Sequence, residues 1–375
     1  MIGITGRAAA LLQAVHAHPG LTRTAAARVL GIGSGAVTEL VARLCGAHLL
    51  SERPAAPSGT RGRPTTELIP HPDGPLVLAV VIAQESWQVD AVQLGGDTLA
   101  TVGARHRDHD AATALAAVAD GIRRLRQQLP GRVRGVGISV PGTVLEERLL
   151  EAPNLGWRGL DLRVVWPDAE LFVADNDATL AAAAESRRGA AVDATVALHL
   201  RVEAGLGGAV VADGRVLGGA NGVAGEFGHM PFGDPAIMCP CGARGCWGTA
   251  VDGTALAGLL GEPCPPDPVT YGRQVLARAA AGGDAESRAV AETAAALGRG
   301  IAGLVNGLDP DLVTLGGLAA DMLAVAPQPL DQAYRAGLMA FRRSTAPPVV
   351  PAMLGDAGPL AGAAEEVWTR LWHRL

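Results

Sequence analysis

Apolar positions recur at helical spacing three times in the first 46 residues. Leu11, Leu12 and Val15 fall on one face of a segment over 7–18 that Pro19-Gly20 terminates. Thr22 is a candidate N-cap for a helix over 23–30, with Ala26, Val29 and Leu30 inward. After a tight Gly31-Ile32-Gly33 turn, Ser34 is expected to cap a third helix to about Cys45, with Val37, Leu40, Val41 and Leu44 inward. Leu49–Glu52 and Thr65–Leu68 then read as the strands of a hairpin with a turn-rich tip over 54–64.

Beyond a His71–Pro75 linker come three expected strands, 76–83, 87–94 and 98–104. A helix over 111–128 follows, with Leu115, Val118, Ile122 and Leu125 inward, then strands 133–140 and 171–174 and a helix over 177–188. The order then restarts. Strands 194–202, 206–212 and 215–217 precede a Gly- and Cys-rich loop. Helices near 250–260, 269–281 and 284–307, strand 311–315, a helix over 320–340, strand 348–352 and a final helix over 359–374 complete the chain. The pattern predicts an α/β protein with a small N-terminal domain, 1–70, and two α/β lobes, 71–190 and 191–358. The cleft between two such lobes is the default place for a ligand.

Composition sharpens this in two ways. No apolar stretch of the 375-residue chain reaches the roughly 18 residues of a membrane span, and the N-terminus has no basic-then-apolar export pattern. A cytoplasmic protein with reduced cysteines and no membrane partner is therefore expected. All 31 basic residues are arginine, as in proteins from GC-rich bacterial genomes. The net charge of −6 is unevenly placed: residues 1–70 carry seven arginines against Glu39, Glu52 and Glu67 (+4), and the rest carries 24 against 34 acids (−10). A basic end on an acidic body points to a polyanion partner.

Two short helices joined by a three-residue Gly turn form the helix-turn-helix pattern, whose second helix enters the major groove of double-stranded DNA; other helical bundles share it. The outward residues of the third helix, Ser34, Gly35, Ala36, Thr38 and Glu39, are small or able to bond base edges. Arg23 and Arg43 are placed for phosphates. The hairpin resembles the wing of a winged helix, and Arg61-Gly62-Arg63-Pro64 at its tip resembles the core of a minor-groove AT-hook. The alternative is a flexible loop with two solvated arginines.

The densest chemistry lies in Gly222–Gly248. Cys239, Cys241 and Cys246 form a C-x-C-x4-C cluster, with His229 ten residues upstream. Three thiolates and an imidazole suit a closed tetrahedral structural zinc site. A disulfide within C-x-C is too tight to be unstrained, and three inert thiols within eight residues is the remaining alternative.

Gly222-Val223-Ala224-Gly225-Glu226-Phe227-Gly228-His229, followed by Cys239-Pro240-Cys241-Gly242-Ala243-Arg244-Gly245-Cys246, resembles the signature of the ROK family of repressors and sugar kinases. With weaker matches either side, the resemblance covers nearly the whole chain. It implies a winged helix-turn-helix followed by a two-lobed actin-like ATPase fold with a zinc loop, the last helix, 359–375, completing the first lobe. It implies that one nitrogen of His229 binds zinc while the other reaches a sugar hydroxyl, and that Glu226 accepts from sugar hydroxyls. Asn154, in Pro153-Asn154-Leu155, resembles a sugar contact. Asp177, in Asn176-Asp177-Ala178, matches the position that is the general base in the kinases; a simple Asn-Asp helix cap is the plainer alternative for this pair. Ala204–Gly208 and Leu315-Gly316-Gly317 resemble phosphate-side loops.

Two departures separate this chain from the kinases. Their opening D-x-G-G-T, which manages magnesium and phosphates, is here Val80-Val81-Ile82-Ala83-Gln84-Glu85. The Glu that usually follows the last zinc cysteine by two residues is Gly248. The resemblance therefore implies no catalytic residues and a sugar-responsive transcription factor of the xylose-repressor branch, a homodimer or dimer of dimers that releases DNA on binding sugar through Asn154, Asn176, Asp177, Glu226 and His229. The rival expectations are a sugar kinase fused to a DNA-binding domain and a regulator whose sugar site has decayed.

Overall fold

The computed structural model describes residues 6–55, 66–106, 110–372 and 374–375. Arg61 and Arg63, and Thr65 of the expected hairpin, lie outside the described residues. The N-terminal domain comprises α1 (Gly6–Ala17), β1 (Leu21–Thr22), α2 (Arg23–Leu30), α3 (Ser34–Gly46), β2 (Leu50–Pro54) and β3 (Thr66–Pro70). Thr22 caps α2, its hydroxyl accepting from Ala25 N at 3.1 Å. Helices α2 and α3 meet at 111° across the Gly turn. The strands form an antiparallel sheet ordered β1-β3-β2.

Two local expectations fail. The N-cap of α3 is Gly33, with no side-chain cap; Ser34 is the first helical residue and its carbonyl accepts from Thr38 Oγ1 at 3.0 Å. Val29 is 63% exposed, because Ala26 takes the inward face of so short a helix.

The first lobe contains β4 (Leu76–Ile82), β5 (Ser86–Gln93), β6 (Thr98–Arg105), α4 (Ala111–Gln128), β7 (Val133–Val140), β8 (Thr143–Leu145), β9 (Arg148–Ala152), β10 (Trp157–Asp161), β11 (Phe172–Asn176) and α5 (Asp177–Arg188). Its main sheet runs β11-β7-β4-β5-β6, and β8 to β10 form a small sheet that the sequence reading did not anticipate. The second lobe contains β12 (Val196–Val202), β13 (Leu206–Ala212), β14 (Arg215–Val216), α6 (Gly253–Leu259), α7 (Pro268–Ala280), α8 (Asp284–Leu308), β15 (Leu312–Gly317), α9 (Leu318–Val325), α10 (Pro327–Gly337) and β16 (Val349–Pro351). Its sheet runs β14-β13-β12-β15-β16, so each lobe has three parallel strands extended by two antiparallel ones. The single helix expected over 320–340 is two, because Pro327 cannot donate to a continuing helix and instead opens α10.

The last helix, α11 (Gly358–Leu371), returns to the first lobe. It lies so close to β7 that a Cβ on Gly137 would come within 2.2 Å of Ala363 O. The N-terminal domain does not hang on a free linker. Leu11, Leu12, Val41, Leu44, Leu50 and Leu68 share one buried cluster with Val77, Val92 and Leu94 of the first lobe and Val367 and Trp368 of α11. Burial of this continuous apolar surface fixes the domain to the first lobe.

Candidate ligand cleft, metal centre and nucleic-acid face

The Gly222–Gly248 segment leaves the second-lobe sheet after β14 and folds back as a tight loop. Gly245 N donates to Ile237 O at 3.0 Å, Cys239 N to Ala243 O at 2.8 Å and Trp247 N to Met230 O at 2.8 Å. Gly242 and Gly245 take φ of +92° and +72°, where a side chain would strain the backbone. Trp247, fully buried, pins the loop to α8 by donating Nε1–H to Ala296 O at 3.1 Å. Its anchoring role carries no sequence signature of its own.

This fold brings His229, Cys239, Cys241 and Cys246 together, with one donor atom from each lying within 4.8 Å of every other. Cys241 and Cys246 sulfurs are 3.7 Å apart, and Cys239 Sγ is 3.8 Å from His229 Nδ1. A tetrahedral zinc with Zn–S bonds of about 2.3 Å separates its sulfurs by about 3.8 Å. All five cysteines are free thiols. Burial pushes the Cys246 thiol up to about 12, with the neighbouring Cys239 and Cys241 adding to the shift, and burial also raises Cys239. Cys241 is shifted the other way: burial raises it, but the hydrogen bond from Ala243 and those with Cys239 and Cys246 outweigh burial and hold it below the ordinary thiol value. Crowded sulfurs of this kind are a donor set that a divalent cation would stabilise as thiolates. The residues thus fit a metal ion.

The loop also supplies Glu226, which crosses the interlobe cleft. Its Oε1 accepts from Thr143 Oγ1 of β8 at 2.8 Å, and its Oε2 lies 3.7 Å from His229 Nε2. His229 therefore turns Nδ1 to the cysteines and Nε2 to Glu226. A second direct link spans the cleft where Asn154 Nδ2 donates to Ala204 O at 3.2 Å. Asp177 sits at the start of α5, where burial pushes its carboxyl above the usual range while the charge of Arg201 opposes the shift.

Asn176 is the N-cap of α5. Its Oδ1 accepts from Ala178 N at 2.9 Å and Thr179 N at 3.2 Å, and its Nδ2 donates to Gly142 O at 3.1 Å. The helix-cap alternative thus describes its present bonds. Asp175, which the sequence reading passed over, lines a cavity of about 530 Å³ with Val144, Leu145, Gly222 and Arg370, and burial pushes its carboxyl up to about 6. The five sugar candidates stand outside this cavity.

The sequence profile of the ROK family matches residues 81–369. The chain belongs to the ROK family. Among ROK relatives it is 32% identical over 270 residues to the kanosamine kinase of Amycolatopsis mediterranei, covering 70% of this chain and 84% of that one. It is 31% identical over 209 residues to the xylose repressor of Caldicellulosiruptor bescii, covering 52% of each. Of solved ROK structures, a transcriptional regulator homologous to E. coli Mlc superposes with a TM-score of 0.76 at 22% identity, covering 98% of this chain and 96% of that one. The Streptomyces griseus glucokinase with glucose and AMPPNP gives 0.67 at 26%, covering 78% and 99%.

The phosphate side of this ROK fold is built differently from a Gly cradle. β4 ends in buried Val80 and Ile82, and the Ala83–Glu85 turn closes directly onto β5, Ala83 N donating to Ser86 O at 2.8 Å. In the second lobe, the Glu203 carboxylate lies beside Gly317 and pairs with Arg201 at 2.6 Å. Arg273 pairs with Asp356 at 2.9 Å and stands 3.6 Å from Asp321. Arg201 and Arg273 are thus each met by carboxylates, Glu203, Asp321 and Asp356 among them.

On the N-terminal domain, Ser34, Gly35, Ala36, Thr38, Glu39 and Arg43 are all exposed along α3. The Thr38 hydroxyl is turned onto its own helix. Arg23 is engaged by Glu52 of β2, its Nε donating to Oε1 at 2.6 Å, so a phosphate would have to compete with that carboxylate.

Proposed function

We propose that this ROK protein is a sugar-responsive DNA-binding transcriptional regulator without kinase activity. The N-terminal domain acts as a winged helix-turn-helix, with α3 in the major groove and β2 and β3 as the wing's stem. The observation that carries this reading is the pair of short helices at 111°, backed by a three-stranded sheet and fused to the first lobe through a common core. The full-length superposition on a ROK transcriptional regulator supports it. The turn between β4 and β5, Ala83-Gln84-Glu85, lacks the Asp and the glycines that let a backbone cradle magnesium and phosphates, which argues against ATP.

Asn154, Asp177, Glu226 and His229, with Asn176 positioning the first turn of α5, receive a sugar in the interlobe cleft. Zinc held by His229, Cys239, Cys241 and Cys246 is structural: its charge fixes the loop that presents Glu226 and the second nitrogen of His229. The protein works in the cytoplasm, where its thiols remain reduced, as a homodimer on paired half-sites. Sugar binding reorients the lobes and releases the DNA.

A thermal-shift screen against pentoses, hexoses and amino sugars, with and without ATP and magnesium, tests this. A ligand at 100 times its dissociation constant stabilises by about 2.7 kcal/mol. A shift with one sugar class and none with ATP is the expected result. A shift with ATP and magnesium would establish the kinase reading instead, and silence throughout would mean that the cleft has lost its ligand.

A further inference from the structure

Helix α5 touches everything the regulator must connect. Its first turn carries Asn176 as cap and Asp177 in the cleft. Along its length, Ala182 packs with Ala209 and Val211 of the second-lobe strand β13, and a Cβ on Gly207 would lie 2.9 Å from the Ala178 methyl. Against the first lobe it meets α11 backbone to backbone: a Cβ on Gly362 would fall 2.0 Å from Leu180 O. The helix therefore lies between the lobes, and a change in their angle must be taken up along it.

Its last turn ends in Arg188, whose guanidinium reaches three elements. Nη2 donates to His16 O, at the C-terminal end of α1, at 2.8 Å. Nη1 donates to Gly95 O, in the β5–β6 turn, at 2.8 Å. Nε donates to Glu365 of α11. The carbonyl of His16 belongs to the last turn of α1, whose carbonyls lack partners within the helix. Just upstream, buried Glu185 accepts from Met353 N at 3.1 Å and Leu354 N at 2.7 Å, and Arg187 pairs with Glu366 at 2.6 Å. The end of α5 is thus clamped both to α11 and to the domain that carries α3.

We propose that Arg188 is the positioning residue that transmits the state of the cleft to the DNA-binding domain, α5 acting as a rod about 18 Å long between them. The inference rests on the sugar-sensing reading above. A shift of the Asn176-Asp177 turn moves the guanidinium, and with it the end of α1, without any contact between ligand and DNA-binding domain.

Hydrogen exchange of the full-length chain tests this in two arms. In one, D-glucose or D-xylose is added, whichever raises the melting temperature. In the other, no ligand is used and Asn176→Ala loosens the cap. In the parent protein, each perturbation is expected to change exchange at least threefold both at residues 177–180 and in α1. Arg188→Met keeps the aliphatic stem and removes the donors, and Arg188→Lys guards against a variant that folds poorly. In both, the change should persist at 177–180 and fall below twofold in α1. An unchanged α1 response in Arg188→Met and Arg188→Lys overturns the proposal. If neither sugar alters residues 177–180 of the parent, the sugar-sensing reading has failed, and the Asn176→Ala arm still decides whether Arg188 relays.

Discussion

His16 and Glu365 stand 349 residues apart in the chain, and their side chains meet at 3.0 Å, Nε2 to Oε1, where the N-terminal domain docks on α11. His16 Nδ1 accepts from Gly95 N at 2.9 Å, which assigns the proton of the neutral imidazole to Nε2, facing the carboxylate. The ring is also packed by Trp368 and Trp372, at 5.5 and 5.0 Å between centroids. Burial holds His16 below its ordinary pKa, outweighing the hydrogen bond that it donates to Glu365. Replacing His16 by Ala leaves a cavity and an unpartnered Gly95 N–H, and is expected to cost about 2–4 kcal/mol in urea unfolding with bound metal unchanged.

Metal content follows from the cysteine geometry. One zinc per chain is expected by elemental analysis of the purified protein, and Cys246→Ser or Cys239→Ser should reduce it to a small fraction and lower the melting temperature. Chelation should have the same thermal effect as the substitutions. A chain that keeps its zinc after loss of either buried sulfur would rule out this coordination set.

Position 248 tests the sugar site by gain. Gly248 is buried beside the cysteine loop, and a Cβ there would sit at ordinary contact distance, 3.4 Å from Gly228 O and Leu206 N. The backbone there can therefore carry a Cβ, and Gly248→Ala serves as the control for folding of Gly248→Glu. A carboxylate accepting from a sugar hydroxyl contributes about 1.5–3 kcal/mol, so calorimetry should find at least about tenfold tighter binding of the sugar that the thermal screen selects. No gain would place the sugar elsewhere in the cleft.

Stability on the acid side depends on His199. Burial, with the charge of Arg201 adding, pushes this imidazole down to about 3, and its Nδ1 lies 2.9 Å from Thr314 Oγ1. The folded chain keeps His199 neutral while the unfolded chain protonates it near pH 6.5, so its contribution is present above that pH and is lost progressively as the pH falls toward 3. Asp175 and Asp252, both raised to about 6 by burial, act in the opposite sense, since their protonation as the pH falls through 6 favours the fold. The difference between the parent and His199→Gln isolates the histidine: between pH 6.5 and 4, the variant should lose about 1.4 kcal/mol less per pH unit.

The helices of the N-terminal domain, the doubled strand-and-helix order and the His-Cys cluster that could hold a metal were legible because each leaves a local mark: apolar spacing, Pro-Gly punctuation, or clustered cysteines. β1 pairs only two residues with β3, and β8 to β10 are three to five residues long, too short for an alternating pattern to stand out. The shared core of the N-terminal domain and first lobe, and the Arg188–Glu365 pair spanning 177 residues, depend on chain return through α11, which no local signal encodes. Asn176 shows the limit at the site itself. Asn-Asp before a helix can be read as a cap or as a candidate polyol-binding pair, and only the bonds to Ala178, Thr179 and Gly142 reveal how much of the Asn176 polarity the fold consumes.

The most direct measurement is the affinity of the full-length protein for duplexes that it selects itself from a random library, by fluorescence anisotropy, with and without a saturating concentration of the sugar that stabilises it. The account predicts that sugar weakens this binding at least tenfold while thermal stability rises. An affinity unchanged by bound sugar, or failure to select any duplex, would contradict it.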